Sequence, residues 1–96
     1  MSRSILIIED DIKICDLLID YLKKHDLAGT AKQNPEEGLQ LLQGSSYSLV
    51  ILDVMLPGKS GYDILREIRL TPECLEIPVL MLTARGQTKD RQMAEA

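Results

Sequence analysis

Short runs of aliphatic residues alternate along the chain with longer segments of mixed polarity. Three runs are wholly apolar, which is typical of parallel strands buried on both faces. These runs are Ile5–Ile8, Leu49–Leu52 and Val79–Leu82. A further strand is predicted at Leu27–Ala31, and because Gly29 interrupts it, it suits an edge of the sheet.

In the segments between these strands, apolar residues recur every three or four positions, as on one face of a helix. We expect three helices there, at about residues 12–25, 34–43 and 62–70. Thr88 could cap a further helix that runs through Arg91 and Met93. Strands that alternate with helices predict an α/β fold with a parallel sheet and right-handed crossovers.

The composition limits the size and the partners of this fold. The 96 residues suffice for one small domain, and with no Phe or Trp its core must be aliphatic. The net charge of −4 argues against a phosphate backbone or an anionic membrane surface as the main partner, so we expect no direct nucleic-acid contact. The chain has neither a membrane-length apolar run nor signal-peptide features, which predicts a cytoplasmic protein.

The two cysteines support no metal or redox site. Cys15 and Cys74 are far apart in a chain with one histidine, so we expect both to be reduced.

Polar residues follow three strands at the point where each strand ends. Glu9 and Asp10 follow the first strand, Asp53 the third and Thr83 the fourth. The carboxyl ends of parallel strands share one edge of the sheet, so these side chains should meet. Two carboxylates at about 4 Å repel by about 4 kcal/mol at an effective dielectric constant of 20, which favours shifted pKa values or a bound cation. Oxygen ligands alone favour Mg²⁺.

Mg²⁺ beside a strand-end carboxylate is suited to phosphate chemistry. An Asp carboxylate can attack phosphorus and form an aspartyl phosphate. The hydroxyl of Thr83 and the backbone N–H of Ala84 could then donate hydrogen bonds to the phosphoryl oxygens. The phosphate acceptor would be the protein itself, at Asp53.

These motifs resemble those of the receiver domain of bacterial two-component response regulators of the OmpR-like kind. They are Ile-Ile-Glu-Asp-Asp at residues 7–11, Leu-Asp-Val-Met-Leu-Pro-Gly-Lys-Ser-Gly at 52–61 and Leu-Thr-Ala at 82–84. The resemblance implies a flavodoxin-like doubly wound parallel sheet with strand order 2-1-3-4.

The resemblance also implies roles for the site residues. Asp53 would accept a phosphoryl group from a histidine kinase, and Thr83 would move toward the phosphate and report its presence. Asp10, Asp53 and the backbone carbonyl of Met55 would bind Mg²⁺, with Glu9 acting largely through water. Such a domain is regulatory, since it catalyses only its own phosphorylation and dephosphorylation, and it usually continues into a DNA-binding module.

Receiver domains normally carry a phosphate-contacting lysine on a fifth strand, followed by a last helix. The sequence stops before these positions, so residues 1–96 are interpreted as an incomplete receiver domain that lacks the fifth strand. Val79–Leu82 would then be an open apolar edge, and we expect a homodimer, another edge-strand association, or partial order of residues 85–96. Lys59 is a candidate substitute for the lysine, although a solvated surface role is favoured.

Three other functions fit parts of the pattern. A fragment that interacts or dimerises without being phosphorylated stays open. An aspartyl-phosphate phosphatase of the haloacid dehalogenase kind would need a second Asp where Met55 stands, which makes it a weaker alternative. A flavin-binding module would need a Ser/Thr/Gly-rich loop after the first strand, and that loop is acidic here.

Overall fold

The structure, a computed structural model, describes residues 3–44, 46–56, 58–84 and 91–95, and for residues 83, 84 and 91–95 it describes the backbone alone. Strands and helices alternate as predicted up to the fourth strand. The elements are β1 (Arg3–Ile8), α1 (Ile12–Lys23), β2 (Leu27–Lys32), α2 (Pro35–Gly44), β3 (Leu49–Asp53), α3 (Gly61–Leu70), a 3₁₀ turn (Pro72–Cys74), β4 (Val79–Ala84) and β5 (Arg91–Glu95). In the described part, none of the helices has the length and apolar character that a bilayer crossing requires.

One sheet contains all five strands, in the order β2-β1-β3-β4-β5, and the first four strands are parallel. This confirms the predicted order 2-1-3-4. β1 and β3 lie in the middle, and Leu6, Ile7 and Ile8 of β1 are fully buried. Burial on both faces explains why these strands consist of unbroken apolar runs.

The C-terminal segment corrects two expectations. Arg91–Glu95 pairs antiparallel with β4, from Ala84 opposite Arg91 to Leu80 opposite Glu95. The predicted helix through Arg91 and Met93 is therefore wrong, and Thr88 lies outside the described residues. This strand is antiparallel and contains no lysine, so it is not the parallel fifth strand whose absence was predicted, but it covers the edge of β4. An open edge exposes a row of backbone donors and acceptors, and a short segment completes that row more readily than it nucleates a helix. The expected association through an open β4 edge thereby loses its basis.

Helices cover both faces of the sheet. α1 packs over the face that carries Ile5 and Ile7, whereas α2 and α3 pack over the face that carries Leu6 and Ile8. The fold is therefore three layers thick, with an aliphatic core on each side of the sheet. Cys15 and Cys74 are buried within these cores as free thiols.

Side-chain caps set the starts of the helices. The Asp11 carboxylate accepts hydrogen bonds from the backbone N–H groups of Lys13 and Ile14 at the start of α1. Asn34 caps α2 in the same way, and Ser60 caps α3. Tyr62, in the first turn of α3, is 58% exposed and lies outside the buried face of the helix. The buried stripe runs instead through Gly61, Ile64 and Ile68.

Candidate metal centre

The sheet register brings the acidic strand ends together. Ile8 of β1 lies opposite Leu52 of β3, so Glu9 and Asp53 occupy adjacent positions at the carboxyl edge. On the other side of β3, Asp53 lies opposite Leu82 of β4, and Thr83 follows directly. The strand ends at Glu9, Asp53 and Thr83 therefore lie side by side, because their strands are neighbours in the sheet.

Three carboxylates form a compact cluster at this edge. Each of Glu9, Asp10 and Asp53 offers an oxygen, and these oxygens lie within 4.8 Å of one another. Glu9 and Asp53 are 0% and 1% exposed, whereas Asp10 is exposed. The cluster thus has a buried floor and one solvent-facing carboxylate at its mouth.

Backbone groups orient the two buried carboxylates. The N–H of Asp11 donates to Oε2 of Glu9 at 3.2 Å, and the N–H of Met55 donates to Oδ1 of Asp53 at 3.1 Å. The Met55 backbone therefore lies beside the Asp53 side chain, while the Met55 side chain is 67% exposed. The thiol of Cys15 donates to the backbone oxygen of Glu9 at 3.3 Å and so links α1 to the backbone of the cluster.

Burial raises the pKa of Glu9 from its usual value of 4.5 to about 8, and a hydrogen bond with Asp53 and the negative charge of Asp53 add to the effect. At neutral pH Glu9 therefore holds a proton when no cation is near. A cation bound by these oxygens would reverse this preference, because it stabilises the charged carboxylate. A cluster of carboxylate oxygens fits a hard divalent cation such as Mg²⁺.

The loop between β3 and α3 passes very close to Asp53. A Cβ atom at Gly61 would lie 2.6 Å from the backbone oxygen of Asp53 and 2.7 Å from Cα of Val54. The Gly61 N–H also donates to the Val54 oxygen at 2.7 Å. Only glycine fits this contact. The Gly-Lys-Ser-Gly turn signals a tight bend in the sequence, but not this close approach to the Asp53 backbone.

An open groove of about 570 Å³ lies along this loop, between Asp10 on one side and residues 54–56 and 58–60 on the other. Lys59 lines the groove, and its Nζ lies 2.7 Å from Oε2 of Glu67 and 3.5 Å from Oε2 of Glu36. Its ammonium group is thus engaged by two glutamates. A separate cleft of about 360 Å³ lies at the other end of the sheet, before β3 and β4, away from the carboxylates.

Two expected phosphate contacts fall where the structure describes the backbone only. Thr83 and Ala84 end β4, next to the strand of Asp53, and pair with Gln92 and Arg91 of β5. The Thr83 side chain lies outside the described part of the structure, so its role stays a prediction. The ligand roles of Glu9, Asp10, Asp53 and Met55 are predictions as well.

Comparison with known proteins gives consistent matches. The profile of the family described as "Response regulator receiver domain" matches residues 5–96. The uncharacterized transcriptional regulatory protein YkoG of Bacillus subtilis is 45% identical over 87 residues, which cover 91% of this chain and 37% of that protein. The transcriptional regulatory protein CpxR homolog of Haemophilus influenzae is 42% identical over 93 residues, covering 95% and 38%. The chain thus spans less than two fifths of the length of these relatives.

Solved structures share the fold. The N-terminal domain of a response regulator receiver protein from Methanoculleus marisnigri superposes with a TM-score of 0.81 at 33% identity, covering 88% of this chain and 69% of that one. The response regulator TrrA of Thermotoga maritima, solved in complex with Mg(2+)-BeF, has a TM-score of 0.79 at 32% identity, covering 88% and 71%.

Proposed function

Because this chain belongs to the response regulator receiver domain family, we propose that Asp53 accepts a phosphoryl group from a histidine kinase in a Mg²⁺-dependent reaction. The observation that carries the proposal is the grouping of the Glu9, Asp10 and Asp53 carboxylates within 4.8 Å. The match to relatives named as transcriptional regulatory proteins supports a signalling role rather than a metabolic one.

Asp10, Asp53 and the Met55 carbonyl would hold the ion, with Glu9 acting largely through water. When bound, Mg²⁺ neutralises negative charge on the transferring phosphoryl group. Asp10 is exposed at the mouth and offers the entry point, whereas the burial of Glu9 and Asp53 excludes competing water. The Met55 N–H, which donates to Oδ1 of Asp53, holds that carboxylate in one orientation.

In the transfer step, an oxygen of the Asp53 carboxylate attacks phosphorus and forms the aspartyl phosphate. The bond between phosphorus and the kinase imidazole breaks, and its electron pair returns to the imidazole nitrogen. We assign the Thr83 hydroxyl and the Ala84 N–H to the phosphoryl oxygens. They follow Leu82, which lies opposite Asp53 in the sheet. A hydroxyl and an N–H at that position would stabilise the charge that develops on those oxygens.

The domain then acts as a phosphorylation-dependent regulator whose only catalysis is on itself. A histidine kinase is its proposed partner, and any DNA contact would belong to another segment of a transcriptional regulator. The assignment of residues 1–96 to an incomplete receiver domain and the cytoplasmic location stay predictions. The phosphatase alternative gains nothing from the structure, since an exposed Met55 stands where that chemistry needs a second Asp.

Intact-mass spectrometry after incubation with acetyl phosphate and Mg²⁺ tests the proposal. We expect one added phosphoryl group in the wild type, none after chelation of Mg²⁺, and none in Asp53→Asn. Asp20→Asn is the matched control, because Asp20 is an exposed residue of α1 away from the cluster.

Full labelling of Asp53→Asn would show that another residue is the acceptor. Steady release of phosphate from an unmodified protein would favour the phosphatase, and no labelling of the wild type by acetyl phosphate or by a phosphorylated histidine kinase would favour the interaction fragment.

A further inference from the structure

We propose that Lys59 is a positioning residue for the metal centre, acting through an ionic clamp with Glu36 and Glu67 that fixes the β3–α3 loop. The inference rests on the proposed function, since it concerns how firmly the loop presents the Met55 carbonyl to Mg²⁺. Lys59 touches neither the ion nor the phosphoryl group in this scheme. It acts on both through the backbone.

Backbone contacts hold the two ends of the loop. The Val54 N–H donates to the Leu82 oxygen at 2.9 Å, and the Gly61 N–H donates to the Val54 oxygen at 2.7 Å. Met55 and Ser60 form an isolated antiparallel bridge across the loop. The tip between these contacts includes Gly58, which has a φ of 82°, a conformation that favours glycine.

The Lys59 side chain supplies the anchor for this tip. Its Nζ lies 2.7 Å from Glu67 on α3 and 3.5 Å from Glu36 in the first turn of α2. One ammonium group therefore ties the loop to two helices at once. At 2.7 Å the Lys59–Glu67 contact is shorter than the Arg66–Asp63 contact at 3.7 Å and the Lys32–Glu37 contact at 4.0 Å.

The clamp and a bound Mg²⁺ should both stabilise the same conformation of the β3–α3 loop. Met55 lies four positions before Lys59, and its N–H donates to Asp53. If the Met55 carbonyl is a ligand, Mg²⁺ binding and the clamp each reduce the freedom of this segment. By linkage, each then strengthens the other.

The direction in which Mg²⁺ affinity changes when Lys59 is substituted distinguishes a positioning role from simple electrostatic repulsion. Lys59 lines the groove beside Asp10, so its positive charge by itself opposes a divalent cation. If charge alone mattered, removing it would tighten Mg²⁺ binding. If Lys59 positions the loop, removing it weakens binding. Exposed ion pairs contribute modestly, and the expected loss for Lys59→Met is about three- to five-fold in the Mg²⁺ dissociation constant.

Isothermal titration of Mg²⁺ at low ionic strength tests the clamp. We expect weaker binding in Lys59→Met, near wild-type binding in Lys59→Arg, and unchanged binding in Lys24→Met, which removes an exposed lysine after α1. The double variant Lys59→Met/Glu67→Gln should bind no more weakly than Lys59→Met, because Lys59→Met already removes the contact that Glu67→Gln would break. Unchanged or tighter binding in Lys59→Met would overturn the inference, as would additive losses in the double variant.

Hydrogen exchange of backbone amides in residues 54–61 gives a second readout that needs no metal. Exchange there should be faster in Lys59→Met than in the wild type, with the rest of the sheet unchanged, and equal rates would contradict the clamp. Failure of the wild type to bind Mg²⁺ at millimolar concentration would instead refute the proposed function, together with the predicted effect of Lys59 on Mg²⁺ binding. Equal exchange rates would refute the clamp alone, so the two outcomes can be told apart.

Discussion

Substitution of Glu9 by Gln should change how stability depends on pH. Glu9 is fully buried beside Asp10 and Asp53, and its pKa is raised from 4.5 to about 8 mainly by burial. Between these two values, the folded state holds a proton that the unfolded state has released. The free energy of unfolding therefore falls as pH rises through this window, and the full contribution is present only below about pH 4.5.

The expected loss of unfolding free energy follows from the pKa shift of Glu9. Each pH unit in the window costs about 1.4 kcal/mol, so the wild type should lose about 3 kcal/mol from this group between about pH 5 and 7.5. Gln keeps the shape of the protonated side chain and does not titrate. Glu9→Gln should therefore not show this loss. The unfolding free energy of Glu9→Gln minus that of the wild type should be about 3 kcal/mol larger at about pH 7.5 than at about pH 5.

Urea unfolding followed by far-ultraviolet circular dichroism, in a chelating buffer, measures this difference. Titrating groups away from the cluster contribute equally to both proteins, so the difference between their unfolding free energies reports Glu9 together with its interaction with Asp53. Glu76→Gln, at an exposed glutamate before β4, should follow the wild type at every pH. Saturating Mg²⁺ should reduce the wild-type loss, because the ion stabilises ionised Glu9. A difference between wild type and Glu9→Gln that stays constant with pH would refute the raised pKa.

Three further predictions follow from packing. Gly61→Ala should lower the free energy of unfolding by about 1–3 kcal/mol and weaken Mg²⁺ binding, because the added Cβ would lie 2.6 Å from the Asp53 backbone oxygen. Gly44→Ala is the control, because a Cβ there meets no atom within 4 Å, and it should leave Mg²⁺ titrations unchanged. Ile64→Ala should cost about 2–5 kcal/mol in urea unfolding, against less than about 0.5 kcal/mol for Leu70→Ala, since these side chains are 0% and 75% exposed. The Cys15 thiol, whose pKa is raised by burial, should react with a thiol reagent much faster in urea than in the native protein, and equal rates would contradict its burial.

Much of the fold follows from local sequence patterns. Unbroken apolar runs such as Ile5–Ile8 mark strands buried on both faces, and Asn34 followed by Pro35 marks the start of a helix. These signals act within a few residues, so they can be read without knowing the rest of the chain. The convergence of Glu9 and Asp53 could also be predicted, because parallel strands end at a common edge.

Pairings between distant segments could not be read in this way. Lys59 shows no sequence signal for its contacts with Glu36 and Glu67, which depend on how α2 and α3 pack against the loop. The helix predicted through residue 91 failed for a similar reason. A local helix cap competes there with the backbone edge of β4, which exists only once the sheet has formed.

The order of the elements as far as β4 and the acids at the strand ends could be inferred from the chain alone, because hydrophobic periodicity and strand termination are local properties. The burial of Glu9 and Asp53, the exposure of Asp10 and the close approach of Gly61 to the Asp53 backbone are visible only in the folded chain. Burial and close approach depend on all the neighbours that fold around a residue. For that reason the raised pKa of Glu9 emerges from the folded structure and not from the order of residues.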